Sequence, residues 1–363
     1  MTLDIALLST YPPAACGIAS YCEYLANALV ELGHRVTVLA EIDGPGKPEK
    51  VYKDGIPICK CWYRTRPLAN IARLLRSSAK LPNVLWIQHE FGIFPNNLDL
   101  WDFMLDIQQH MTVALTLHTV LSTPKQIGFF RAPPFVPKTF VHSYAAALAL
   151  KAWHPAWEPI MVPHGVKVVN RQLKPPGTDR PIVGLVPGFI SPSKAHIDIL
   201  HGLALALTIQ PCVRNVSLRI AGEYKHHDYV MEIQQTIASL GLQEFVKLDL
   251  GFQEDLGFAD ADYLILGAQM DTRSPEQGPY SASGQIADAI AYGLPVLARN
   301  VPIYNTNAPN VIHWNTKEEL ANLLVGLLRD DNQRRLIGAS VGPEFVTTRS
   351  WKHVAELQSA ALL

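Results

Sequence analysis

The chain has 363 residues, 48% hydrophobic and 17% charged, enough to fill more than one core, and chains beyond about 250–300 residues usually divide into domains. Its 31 Lys and Arg balance 32 Asp and Glu to a net charge of −1, so no overall field draws it to nucleic acid or an anionic membrane, and any anion site has to be local. Its five cysteines, with no C-x-x-C pair and no zinc-like histidine spacing, fit a reduced, cytoplasmic setting and no metal site.

MTLDIALLSTYPP carries Asp4 and no basic n-region, so it reads as a first buried strand and not as a signal peptide. DIALLS, the helical pattern GIASYCEYLANALVELG closed by Gly33, and RVTVLAE make one β-α-β unit. Cys59 and Cys61 share one face of a strand as two half-buried thiols. The helix RPLANIARLLRSSAKL sets Arg66, Arg73, Arg76 and Lys80 beside Leu68, Ile71, Leu74 and Leu75. Such a face fits a solvated exterior, an anionic acceptor or the inner face of a membrane. The strands VLWIQH, VALTLHTV and TFVHS follow, then the helix YAAALALKAW and the strand PIMVPHGV. The longest apolar runs, such as AAALAL before Lys151, fall short of the ~20 residues of a membrane span.

VVNRQLKPPGTDRP, with Pro175, Pro176, Gly177 and Pro181, breaks all periodicity and reads as a linker. Alternation then restarts with PIVGLVPGFI, the helix IDILHGLALALTI, SLRIAGE, the helix DYVMEIQQTIASLG, VKLDLG, YLILGAQ, the helix IADAIAYG and PVLARN. TKEELANLLVGLLRDDNQRRLIGASV and SWKHVAELQSAALL close the chain as helices. The expected fold class is α/β, with two Rossmann-like domains at residues 1–168 and 182–345, a linker at 169–181 and a final helix at 346–363.

In open α/β sheets ligands gather at the carboxyl ends of the strands. The first such loop, STYPPAACGIASY, is long, and Gly17 at the helix entrance lets backbone amides approach an anion. It has no G-x-G-x-x-G; Glu41, ending the second strand, stands where a ribose-binding acid would lie. His89, Glu90 and His118 follow two strands expected to be neighbours and aim at one edge, with His110, His142 and His164 as weaker candidates. In the second half Lys194 follows GFISPS with its Gly188, and Gly222 and Glu223 end another strand. Ser281, Ala282, Ser283 and Gly284 offer amides at a helix N-terminus, with Asp288 one turn in and leaning back toward the same place.

Taken together, these segments resemble the retaining GT-B glycosyltransferases of family 4, the group that also holds sucrose synthases and bacterial phosphatidylinositol mannosyltransferases. The likeness covers nearly the whole chain. STYPPAACGIASY resembles the family's first glycine loop, QHEFGIF a segment of one bacterial subgroup, and LTLHTV its T-x-H-T strand end. VPHGV stands for V-P-N-G-V, GFISPSKAH for G-R-L-x-x-x-K-G, and IAGE for the strand ending in G-E-G. SASGQIADAIAYGLPV stands for the E-G-F-G-x-x-x-x-E-A-M-A-x-G-x-P-V segment. Three positions depart: Phe189 for the usual arginine, Ala195 for the following glycine, and Tyr280 for the first glutamate of the Glu-x7-Glu pair, with Glu276, four residues earlier, as a candidate to replace it.

The resemblance implies parallel sheets facing across a cleft, a final helix around Trp351 packing back on the first domain, and transfer of a sugar from a nucleotide-diphosphate sugar to an acceptor hydroxyl. Lys194 and the Ser281–Gly284 amides would hold the diphosphate, Asp288 the ribose, and Gly17 the diphosphate or the acceptor. His118 would lie beside the donor sugar, with His89, Glu90 and Tyr280 as further contacts. No cofactor or metal is implied, and catalysis would rest on stabilising the leaving group. The departures keep open a sugar-nucleotide epimerase, a pseudo-glycosyltransferase or a catalytically silent sugar-nucleotide-binding protein.

Overall fold

Strands β1 (Asp4–Ser9) and β5 (Val84–His89) are nearly continuous apolar runs because both of their faces are covered. Ala6, Leu8, Leu85 and Ile87 enter one core, and Ile5, Leu7, Val84 and Trp86 enter the other. That pattern belongs to a parallel sheet layered between helices. The computed structural model describes every residue except 43, 45, 78–79, 122–135, 154, 171–179, 212–214, 252–255 and 270–279. The described residues form two units.

The first unit comprises Met1–Gly165 and Thr348–Leu363, together with the short strand β14 (Tyr280–Ser281). Among its described residues, its main sheet runs in the order β3 (Glu49–Lys53), β4 (Ile56–Trp62), β2 (Arg35–Glu41), β1, β5, β6 (Thr112–Leu117), β8 (Lys138–Val141) and β9 (Ile160–Met161). All neighbours are parallel except β3 on β4. Helices α1 (Gly17–Glu31), α2 (Ala69–Arg76), α3 (Asn97–Ile107) and α4 (Tyr144–Trp153) belong to this unit. The chain end returns to it as α11 (Trp351–Ala360), whose Trp351 ring meets Tyr21 and Tyr24 of α1 at centroid distances of 4.7 and 5.5 Å. Gly165 has no side chain because the indole lies there: a Cβ would overlap Trp351.

The second unit is an all-parallel sheet, in its described residues, of β12 (Val246–Leu250), β11 (Val216–Gly222), β10 (Ile182–Pro187), β13 (Tyr263–Leu266), β15 (Val296–Arg299) and β16 (Val311–Trp314). Alternate residues again fill two cores: Tyr263 and Ile265 one, Leu264 and Leu266 the other. Helices α5 (His196–Ile209), α6 (His227–Ser239), α7 (Gly284–Tyr292), α8 (Lys317–Arg329), α9 (Asp331–Ala339) and α10 (Pro343–Thr347) complete it. Arg180 grips the Asp262 carboxylate with two bonds of 2.8 and 2.6 Å, and the same carboxylate accepts the Val183 amide at the start of β10.

PIMVPHGV departs from the expected strand. Among the described residues the paired strand is Ile160–Met161, extended by the Val162 amide, which donates to the Val141 carbonyl at 2.8 Å; Pro163 has no N–H to continue it, and the Val162 and Gly165 carbonyls face His142 and His164. Among the described residues no helix is long and apolar enough to cross a membrane.

Candidate functional site

In the second unit the loop after β10, the end of β11 and the start of α7 are bonded together at the carboxyl end of β10. Gly188 follows the strand, and its amide donates to the Ala221 carbonyl at 2.9 Å, which ties it to the end of β11. Gln285, in the first turn of α7, donates from Nε2 to the Pro187 carbonyl at 2.9 Å, so this helix points its N-terminus at the same strand end. Ser283 caps that helix by accepting the Ile286 amide. The first turn of α7 carries no acidic residue that would compete for its dipole. Ser283→Ala is expected to cost about 1 kcal/mol of stability, read from the shift in the urea unfolding midpoint.

Lys194 ends a 3-10 turn, Pro192–Lys194, just beyond β10. Its ammonium lies 3.4 Å from the Tyr304 hydroxyl, which in turn donates to the Gly267 carbonyl at 3.0 Å beyond β13. Among the described residues Lys194 has no ion-pair partner, and burial lowers its pKa below the ordinary lysine value. Lys194 is thus a half-buried cation in the loop beyond β10, the strand whose end accepts from Gln285 of α7. Ala195, where the resembling family has glycine, sits at φ 49°, the left-handed region, which costs a non-glycine residue about 1 kcal/mol. Phe189, in place of the usual arginine, is 42% exposed, and the Lys225 ammonium stands 5.7 Å from its ring centroid.

In the first unit QHE and LTLHT, separate segments of the sequence, prove to be one bonded assembly. β5 and β6 place Gln88 opposite Thr116 and His89 opposite Leu117. Thr116 accepts the buried Trp86 indole N–H at 2.9 Å, and the His118 ring meets Gln88 at 3.1 Å. Thr119 donates its hydroxyl to Glu90 at 2.8 Å, and the Phe91 amide donates to the other Glu90 oxygen at 3.1 Å. Burial raises the Glu90 pKa against the pull of these two bonds. Thr119–Val120, strand β7, then pairs antiparallel with β14. Beside β4 and β5, a cavity of about 390 Å³ is lined by Trp62, Arg66, Phe94, Asn96 and Asp99, among others.

The sequence-predicted residues therefore fall into two sets. Gly17, His89, Glu90, His118, Tyr280, Ser281 and Ala282 lie in the first unit; Gly188, Lys194, Gly222, Glu223, Ser283, Gly284 and Asp288 lie in the second. Glu276 lies outside the described residues. Gly17 opens α1 with no side-chain cap before it. Ser281 does not belong to the helix start: it pairs with Thr119 in the sheet, and α7 begins only at Gly284. Asp288 holds an ion pair with Lys167 at 3.3 Å.

Glu41 is gripped by Arg64 at 3.0 and 2.6 Å, so its carboxylate is already engaged. On the basic helix Arg76 pairs with Asp106, and beyond it Lys80 pairs with Asp4, which thins the positive face. Nothing local in the sequence signals Tyr304, Gln285 or Lys225, because their roles come from strands distant in the chain.

No protein-family model matches the chain, and no curated protein does. Solved structures do. HepE of Anabaena, in complex with UDP and glucose, is similar at a TM-score of 0.72 and 16% identity over 99% of each chain. Sucrose-phosphate synthase of Thermosynechococcus elongatus is similar at 0.71 and 14% over 98% of each chain. The catalytic domain of starch synthase IV of Arabidopsis thaliana, bound to ADP and acarbose, is similar at 0.67 and 14% over 100% of each chain. A likeness that spans the chain at such low identity is one of fold: two parallel-sheet α/β domains of GT-B type.

Proposed function

We propose that the protein is a cytoplasmic retaining glycosyltransferase that moves a sugar from a nucleoside-diphosphate sugar to an acceptor hydroxyl. Lys194 carries the reading. A half-buried ammonium with no ion pair among the described residues, at the same strand end as the α7 N-terminus, suits a diphosphate. Further support comes from HepE, solved with UDP and with UDP-glucose, and from the starch synthase solved with ADP.

In this reading the second unit binds the donor. Gly188 and Gly222 let the diphosphate meet backbone, Glu223 lines the same strand ends, and Asp288 turns from Lys167 to the ribose. The first unit binds the acceptor through Gly17, His89, Glu90, His118 and Tyr280; residues 171–179 of the expected linker lie outside the described residues. As the anomeric bond breaks, negative charge grows on the diphosphate, where Lys194 and the α7 amides stabilise it. The departing phosphate oxygen takes the acceptor proton on the same face, so the new bond forms with retention.

The test is incubation with UDP-, GDP- and dTDP-sugars and a panel of hydroxyl acceptors. Nucleoside diphosphate release and a product of the donor's anomeric configuration, read by mass spectrometry and NMR, are expected. Tight nucleotide binding without turnover on any donor and acceptor would sink the enzyme reading.

A further inference from the structure

His118, buried, and His142, half-buried, form a chain whose direction is set at one end. His142 Nδ1 lies 3.1 Å from the Val162 carbonyl, which can only accept, so Nδ1 carries a proton. Burial lowers the His142 pKa to about 3, so the ring is neutral and its Nε2 offers a lone pair. His118 Nδ1, 3.3 Å from that nitrogen, then has to be the donor. This leaves His118 Nε2 as an acceptor, 3.1 Å from the end of the Gln88 amide.

An acceptor there calls for the nitrogen of Gln88 and not its oxygen. Turning the amide also gives that nitrogen the partner it lacks in the opposite orientation. The groups around the pair are Tyr21 of α1, whose ring centroid is 4.4 Å from that of His118, together with His164 and His89. Each of these histidines disfavours a positive charge on His118, as does burial.

From this geometry we infer that His142 is a positioning residue: it holds His118 as the neutral Nδ1–H tautomer with both ring nitrogens engaged. His118 then serves as a fixed ring, one residue before the Thr119 hydroxyl that meets Glu90 and the strand that pairs with Tyr280–Ser281. It neither gives nor takes a proton during turnover. The functional part of this inference rests on the transferase reading, in which the leaving phosphate takes the acceptor proton.

Long-range proton–nitrogen NMR of the full chain labelled with ¹⁵N-histidine tests it, with His118 assigned by its loss in His118→Asn. His118 and His142 are expected to show Nδ1–H and no titration from about pH 5.5 to about pH 8. His142→Phe removes the acceptor, so the His118 proton should move to Nε2 and kcat should fall about tenfold, with UDP affinity held within about twofold. His142→Gln, whose side-chain oxygen can stand near the lost Nε2, should keep the Nδ1–H pattern and recover most of that loss. An Nε2–H signal for His118 in the wild type, a titrating His118, or equal loss of kcat in both variants would overturn the proposal. If the wild type turns over no donor, the transferase reading fails, while the NMR signals still decide the tautomer.

Discussion

Lys194→Met is expected to raise the melting temperature of the ligand-free protein while weakening UDP binding by about a hundredfold, roughly 2.8 kcal/mol. The two effects share one cause. Lys194 is desolvated, with the Tyr304 hydroxyl at 3.4 Å and no ion pair among the described residues. Its folded pKa is lowered from 10.5 by burial. The unfolded chain therefore binds more protons between the two values, and stability rises with pH across that window. Below the folded pKa the cost of burying the charge is fully present, and methionine removes it at similar volume.

In the proposed function bound diphosphate reverses the balance. At a ligand concentration 100 times Kd the wild type gains about 2.7 kcal/mol, whereas the variant gains little. Melting curves with and without UDP should thus cross in order, and calorimetry should give the loss of affinity directly. A variant that melts lower without ligand and binds UDP as the wild type does would show that Lys194 is not the counter-charge of an anion.

The parallel sheets are legible because buried strands flanked by helices read as short apolar runs, as DIALLS and VLWIQH do. Helix α3 lacks so plain a pattern, although Asn96 caps it by accepting the Asp99 amide, a signal that attention to capping residues would use. Lys194 and Ser283 are legible because a lysine after a strand and a serine before a helical pattern carry local meaning. The two-residue pairing of β14 with β7 has no local signal: it joins Tyr280 to Val120, far apart in the chain. The histidine cluster is hidden for the same reason, since His118, His142 and His164 come together only once β6, β8 and the turn after β9 are side by side.

Gly222→Ala is expected to destabilise the protein by about 3 kcal/mol or more and to abolish tight UDP binding. Gly222 ends β11 at φ 151°, and a Cβ there would overlap the Gly188 carbonyl. That carbonyl cannot move aside cheaply. The Gly188 amide is bonded to Ala221, Ile190 to Glu223 at 2.8 Å, and Gly251 to the Gly222 carbonyl itself at 3.0 Å. Relief would have to come from displacing the Gly188 turn, against which Gln285 rests and which in the proposed function faces the diphosphate.

Gly241 is the matched control. It follows α6 at φ 67°, and a methyl group added there would meet nothing within 4 Å, so Gly241→Ala carries only the conformational cost of about 1 kcal/mol. Urea unfolding of both variants, with UDP titrations alongside, separates the two causes. If Gly222→Ala unfolds within about 1 kcal/mol of Gly241→Ala and still binds UDP, the close approach of the two strand ends is not what demands a glycine, and the Gly188 turn is not a wall of the nucleotide site.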